Sequence, residues 1–180
     1  MANTCTCVTA LSINANATLI KPALNVLMNP TDAEQVLLNI SMAGTTASDA
    51  AGIANQSYME RVSPAQNAAR TLDLYNSITN AMGDTIKFVH VRLLVIVNRS
   101  LTHSLILGGS NQVPFLAGTT PTLTLPPAAD ANNPAVLLLV GSKTGWAVTD
   151  SSGDKLTLTD GGEDTNAGSY DLLIVGTQTA

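Results

Sequence analysis

The sequence predicts an all-β protein: a β-sandwich or jelly roll with one short helix and an extended N-terminal arm. Hydrophobic residues make up 45% of the chain, but aromatic residues only 3% and charged residues only 12%. The core must therefore consist of Val, Leu, Ile and Ala, with a Thr, Ser, Asn and Gly surface that is typical of strands and turns. Short alternating segments with frequent turn signals are the pattern of a β-sandwich. Residues 86–98 give the longest β-signal, and the apolar run 93–97 indicates a central strand.

The first part of the chain predicts an arm followed by a β-hairpin. Residues 1–16 have little pattern and are predicted to form the arm, and residues 17–180 a single domain. Residues 17–28 alternate around Pro22, and residues 34–42 place Val36, Leu38, Ile40 and Met42 on one face. A helix over 32–40, capped by Asp32, is the alternative, but a period of two fits a strand better. Whether residues 1–55 belong to the sandwich stays open.

The middle of the chain predicts a second hairpin and the one helix. Residues 56–62 and 66–73 flank Ser63-Pro64-Ala65, a turn. In residues 74–82 the apolar Leu74, Ile78 and Met82 recur every four positions and Gly83 follows, which predicts two helical turns. The remaining strands are predicted at residues 101–107, 122–125, 135–140, 146–149, 154–160 and 169–176.

The charge pattern argues against nucleic-acid and membrane partners. The net charge is −5 with only eight Lys and Arg, whereas phosphate and anionic-lipid binding need clustered cations. The longest apolar runs, 93–97 and 135–140, are too short to span a bilayer. Residues 1–7 lack the basic and apolar regions of a signal peptide, so we expect a protein made in a cytoplasm.

No set of side chains predicts catalysis. The candidate bases are His90 and His103, and no Gly-x-Ser-x-Gly motif accompanies them. A hydrolase would need one of them beside a Ser and an Asp in a cleft. Cys5 and Cys7, the only cysteines, are interpreted as reduced thiols on the arm, with an intermolecular disulfide or adventitious metal as the alternative.

The glycine-rich and acidic segments have simple interpretations. Residues 141–145 (Gly-Ser-Lys-Thr-Gly) lack the first Gly and the helix of a phosphate loop, and Gly108-Gly109 lacks a dinucleotide motif. The acidic loop 160–168, with Asp160, Glu163 and Asp164, is interpreted as a solvated turn, and a weak calcium site is the alternative. Asn-x-Ser/Thr at Asn16, Asn39, Asn55 and Asn98 is interpreted as chance. Trp146 is predicted to pack in the core, with sugar stacking as the alternative. The sequence thus predicts no catalytic residue, no cofactor and no metal.

A series of short motifs runs through about residues 60–180, at 71–74, 82–88, 91–98, 105–109, 144–149, 153–156 and 170–177. In their order these motifs resemble a family of small virion proteins of tailed bacteriophages, often encoded near the capsid genes. Residues 144–149 (Thr-Gly-Trp-Ala-Val-Thr) followed by 153–156 (Gly-Asp-Lys-Leu) match best. Pro126-Pro127 stands where the family often has Pro-Gly-Gly.

The resemblance implies a β-sandwich or jelly roll, homo-oligomers that are often trimers, attachment to the outside of the virion, and no enzyme activity. The expected function is that of a capsid decoration (cement) protein, assembled in the host cytoplasm and bound to the major capsid protein. Residues 1–16 would then be a capsid- or neighbour-binding arm. The alternatives are a tail or head-fibre component and a host-surface carbohydrate-binding module that uses Trp146.

Overall fold

The computed structural model describes the backbone of residues 7–15 and 36–44. It describes residues 54, 56–65, 67–76, 78–79, 83, 85–116, 118, 120–142, 144–162 and 168–178 with their side chains. The chain divides into two compact units, Val8–Met42 and the combination of Met1–Cys7 with Ala43–Ala180. In the described residues every regular element is a strand and every strand pair with a described register is antiparallel.

In the smaller unit, two nine-residue strands pair as a two-stranded sheet: β1 (Cys7–Ala15) and β2 (Val36–Gly44). The strand predicted over 34–42 is thus confirmed within two residues. Its partner β1 lies inside the segment predicted as an arm, whereas the strand predicted at 17–28 lies outside the described residues. The division into an arm at 1–16 and one domain at 17–180 stays a prediction.

The larger unit contains two main sheets and a short two-stranded one. Its elements are β3 (Gln56–Val62), β4 (Ala69–Asp73), β5 (Ile78–Thr79), β6 (Thr85–Ile86), β7 (His90–Asn98), β8 (Leu105–Gly108), β9 (Thr122–Leu125), β10 (Ala135–Val140), β11 (Trp146–Ala147), β12 (Lys155–Asp160) and β13 (Tyr170–Thr177). The five-stranded sheet has the order β10-β7-β13-β3, with β11 also paired to β7, and the four-stranded sheet has the order β4-β12-β8-β9. Strands β5 and β6 pair with each other.

The two main sheets contribute to one hydrophobic cluster. Alternate residues of β13, namely Tyr170, Leu172 and Ile174, are buried in it, as are Leu156 and Leu158 of β12 in the other sheet. A period of two is the spacing at which a strand presents one face. The predicted central strand is confirmed, because β7 is paired on both sides and Leu94 and Ile96 are fully buried.

An irregularity in β7 decides which of its residues face the cluster. Gly176 pairs with Val91 and Val175 pairs with Leu93, so Arg92 is the extra residue of a β-bulge. The bulge shifts the alternation, so that Val91 and Leu94 both join the cluster. Position 176 admits only glycine, since an added Cβ would lie 2.1 Å from the His90 carbonyl oxygen.

The predicted helix at 74–82 is wrong: residues 74–76 form a turn, Ile78–Thr79 is β5, and 80–82 lie outside the described residues. The Asp73 carboxylate accepts hydrogen bonds from the Tyr75 and Asn76 backbone N–H groups, 3.2 and 2.9 Å away, which stabilise the turn. Leu74 also donates its N–H to Asp154 and accepts from the Phe88 N–H, so its backbone groups bond outside any helix. The spacing of four came from two separately buried residues, Leu74 and Ile78.

The predicted hairpin of 56–62 and 66–73 is also wrong, although both strands exist. Strand β3 pairs with β13 and β4 pairs with β12, so Ser63–Ala68 crosses from one sheet to the other. Strand β8 follows β7 in the chain but does not pair with it. It pairs with β9 and β12 in the other sheet. Such crossings place consecutive strands in different sheets, which local sequence patterns do not reveal.

Candidate functional site

The side of the five-stranded sheet that faces away from the cluster carries rows of apolar residues. Because Leu94, Leu172 and Tyr58 face the cluster, their neighbours along each strand face outwards. One row across the sheet reads Leu138, Val95, Leu173 and Met59. The rows on either side begin with Val136-Val97 and Val140-Leu93. We call this surface, formed by these residues together with Val175, the outer face.

Exposure varies across the outer face. Leu93 and Val175 are 1% and 0% exposed and Val95 and Leu173 are half-buried, whereas Val136 and Met59 on the edge strands are 56% and 69% exposed. Large apolar side chains exposed together on one surface mark sites of protein contact more often than isolated ones do. The outer face can therefore bury apolar area against a partner.

An ionic cluster ends the outer face at Asp171. The Asp171 carboxylate accepts hydrogen bonds from Arg61 Nε at 2.5 Å and from Arg99 Nε. The Arg61 bond, assisted by Arg99, lowers the pKa of Asp171, so the carboxylate stays ionised. Both arginines are exposed, which makes this a polar rim to an otherwise apolar surface.

A second polar cluster lies where the edges of the two sheets meet, at β3 and β4. The Glu60 carboxylate accepts a hydrogen bond from the Tyr58 hydroxyl at 2.7 Å and from Arg70 Nη2 at 3.4 Å, and its Oε1 is buried without a hydrogen bond. Burial, together with the Glu60 charge, raises the pKa of Tyr58 to about 12. Burial likewise raises the pKa of Tyr170, whose hydroxyl is also without a hydrogen bond.

A shallow cleft of about 680 Å³ opens beside this cluster and is lined by Tyr58, Met59, Glu60, Arg61, Arg70, Thr79 and Asp171. The sequence analysis missed Glu60. The available signal was a charge on the inward side of an alternating strand, between Tyr58 and Val62.

The predicted base His103 does meet an acid, but inside the protein. Its Nδ1 lies 2.8 and 2.9 Å from the two Asp160 carboxylate oxygens, and each residue is 2% exposed. The Asp160 carboxylate also accepts a hydrogen bond from the Gly162 N–H. The His103 N–H donates to Ser100 Oγ at 3.0 Å, and the Asn98 side chain donates to the His103 carbonyl.

This buried network connects the end of β7 to the start of the acidic loop. Neither described cleft is lined by His103 or Asp160. Both side chains are buried, and their hydrogen bonds join residues that are 57 positions apart in the chain. The second predicted base, His90, is the first residue of β7 and is half-buried, opposite Ala147 and Thr177.

Trp146 is half-buried and packs edge-on against Phe115, with ring centroids 5.3 Å apart. Both rings lie against the hydrophobic cluster, as predicted for Trp146. A second cleft of about 440 Å³ is lined by polar and apolar loop residues of 111–121 and 147–153, and no aromatic residue is part of that described lining. Neither described cleft is lined by Trp146 or Phe115.

The other predicted candidates lie in turns, in strands or outside the described residues. Residues 141–145 turn between β10 and β11, with the Gly145 N–H donating to the Ser142 carbonyl, and a strand follows them. The Asn98 side chain is buried in the network around His103. Cys7 lies in β1 and Asn39 in β2. Cys5, Asn16, Asn55, Glu163 and Asp164 lie outside the described residues.

Two searches of the described residues were negative. No group of three or more His, Cys, Asp or Glu side chains there is arranged to hold a metal ion. No helix in the described part of the chain is long and apolar enough to cross a membrane.

Comparisons with known proteins add no relative. No family model, no curated protein and no solved structure matches the chain.

Proposed function

We propose that this chain is a structural virion protein of a tailed bacteriophage, a capsid decoration protein that binds the outside of the head. The observation that carries the proposal is the ordered series of motifs over residues 60–180, which resembles small phage virion proteins. Its segments fall mainly on β7, β8, β11, β12 and β13, which belong to the two main sheets.

The architecture that we propose for residues 56–178 is a β-sandwich of the jelly-roll type. Two antiparallel sheets that contribute to one buried cluster support a sandwich. A rigid sheet pair of this kind presents edges and faces at fixed positions, which suits repeated contacts on a symmetric shell.

The proposed partners are the major capsid protein and further copies of the chain, with a trimer as the expected oligomer. Support comes from the outer face, whose Val136-Val97 row continues into the Asp171 ionic cluster. An apolar centre with a polar rim is the composition of protein contact surfaces. The low content of charged residues, 12%, also limits the desolvation cost of such contacts.

The test is binding to expanded heads that lack decoration protein, assembled from the major capsid protein encoded nearest to this chain. We expect the full chain to co-sediment with these heads, to saturate at a fixed number of copies per shell and to raise the temperature at which the shell dissociates. Heads already saturated with unlabelled protein are the control and should take up no labelled protein. A chain that stays in the supernatant at every concentration would overturn the proposal.

A tail or head-fibre component is the second candidate, because the same outer face serves any assembly contact. Mixing the chain with purified tails separates the two candidates: a decoration protein binds heads and leaves tails free, and a tail component does the reverse.

A further inference from the structure

The four edge strands of the two main sheets differ in how they are protected against pairing with another chain. Proteins protect sheet edges with inward-pointing charges, other charged residues, short strands and prolines. Strand β3 carries the inward-pointing Glu60 and the exposed Arg61, and β4 carries the exposed Arg70. Strand β9 has four residues between Pro121 and Pro126. Each of these three edges therefore carries at least one protective feature.

Strand β10 carries none of these features within its six residues, although Pro134 directly precedes it. Its sequence is Ala-Val-Leu-Leu-Leu-Val, without a charge or a proline. None of its six residues is fully buried, and Val136 and Val140 are 56% and 42% exposed. In the described part of the chain β10 forms ladder hydrogen bonds with β7 alone, and β9 lies next to it. An apolar strand with one open edge is a site where another strand adds to a sheet.

We infer that β10 is a contact strand between two copies of this chain, paired antiparallel with β10 of the second copy. Pairing centred on Leu138 keeps the outer faces of both copies on the same side of one continuous sheet. It places Val136 opposite Val140 of the second copy, so that apolar side chains meet with no like charges between them. For a chain of net charge −5, an edge free of charge is where two copies approach with least repulsion.

The charges that flank β10 in the sequence fit the same pairing. The nearest charged residue before the strand is Asp130 and the nearest after it is Lys143, and these have opposite signs. Antiparallel pairing brings the segment that precedes β10 in one copy towards the segment that follows it in the other. In the sequence these two segments carry opposite charges, and Val136 to Val140 each meet an apolar residue of the second copy, which favours a second copy over an unrelated apolar strand.

Pairing through β10 alone produces a two-fold dimer, and together with a separate three-fold contact it produces a hexamer. The inference does not depend on the virion function, since it is tested on the purified chain without capsids. A chain that does not bind heads would not contradict the β10 contact. A chain without the β10 contact would not contradict head binding.

The experiment is sedimentation equilibrium of the full chain and four variants. Val136→Lys and Val140→Glu each bury a charge at the contact, and we expect each to weaken association roughly tenfold or more. The double variant Val136→Lys/Val140→Glu places Lys opposite Glu twice and should recover most of the association. Leu101→Lys is the matched control, because it places the same charge on an apolar residue that is 58% exposed and lies outside the strands and the outer face. It should leave association unchanged.

Thermal unfolding of each variant checks that these exposed substitutions leave the fold intact. Weakening by both single changes, recovery in the double variant and no effect of Leu101→Lys establish the β10 contact. A wild-type chain that is monomeric across the concentration range overturns it, as does equal weakening by Leu101→Lys. Weakening without recovery rejects the two-fold pairing and identifies a different partner for this strand.

Discussion

Nδ1 of His103 lies 2.8 Å from a carboxylate oxygen of Asp160, although the two residues are 57 positions apart and each is only 2% exposed. Removing one member of a buried pair leaves the other without its partner. We expect His103→Ala to lower the free energy of unfolding by about 3–5 kcal/mol. Urea unfolding at neutral pH measures this change.

The matched control is His90→Ala, which removes the half-buried histidine at the start of β7. It should cost clearly less than His103→Ala. The combination His103→Leu/Asp160→Asn should cost less than the sum of its single changes, because neither leaves a buried charge when both are made. Additive costs would show that the two side chains are not coupled.

Gly162 leaves room for the His103 ring. A Cβ at this position would lie 2.1 Å from Nδ1 of His103. We expect Gly162→Ala to lower the free energy of unfolding by about 2 kcal/mol or more, since the ring must move away from Asp160. Gly153→Ala is the control: its added Cβ would meet nothing closer than 3.7 Å, so its cost should be small. Equal melting temperatures for the two variants would contradict the close packing of residue 162 on the ring.

Asp73 should make the stability depend on pH in the acid range. Burial opposes its ionisation, but hydrogen bonds from Lys155 and Asn76 outweigh burial and lower its pKa to about 2. A group whose pKa is lower in the folded state stabilises the fold above its unfolded pKa, near 4, and loses that contribution as the pH falls towards 2. With the side chain 31% exposed, we expect a contribution of about 1–2 kcal/mol at neutral pH.

Asp73→Asn should therefore lower the free energy of unfolding at pH 7 and flatten its decline between pH 4 and pH 2. Urea unfolding across this range measures both effects. Lys155→Gln removes the main partner and should flatten the same part of the profile, whereas an unchanged slope in both variants would exclude Asp73 as its source.

Glu60 should protect the β3 edge against pairing. Replacing Glu60 by an apolar residue leaves the Tyr58 hydroxyl without its acceptor, which should lower the free energy of unfolding by about 1–3 kcal/mol. We expect Glu60→Val to fold but to aggregate faster on heating, because β3 then lacks its inward-pointing charge. Light scattering during a thermal ramp measures this effect. Glu60→Gln keeps a polar group beside Tyr58 and Arg70, so aggregation at the wild-type rate is expected. If Glu60→Val also aggregates at the wild-type rate, Glu60 does not protect the β3 edge.

The strands were largely predictable because a period of two is a local property of the chain. Residues 135–140 were predicted to form the strand that they form, and β7, β9, β12 and β13 were predicted within a few residues. Two buried residues from separate segments can lie four positions apart, which is also the spacing of a helix. This spacing of Leu74 and Ile78 led to the predicted helix, and the turn became apparent only in the structure.

The pairing of His103 with Asp160 and the inward orientation of Glu60 were not predictable in the same way. Both depend on which strands share a sheet, and the crossings at Ser63–Ala68 and between β7 and β8 change sheets without a local signal. Because of the bulge at Arg92, strict alternation would assign the residues on one side of it to the wrong face of the sheet.

The sequence by itself determined the all-β class, the positions of most strands and the absence of charge from residues 135–140, since these follow from residue type and local spacing. Only the tertiary structure decided that this apolar strand lies at an edge, that Glu60 faces inwards on the opposite edge and that His103 is locked to Asp160. Each of these depends on contacts between residues distant in the chain, whose geometry is set when the two sheets are formed.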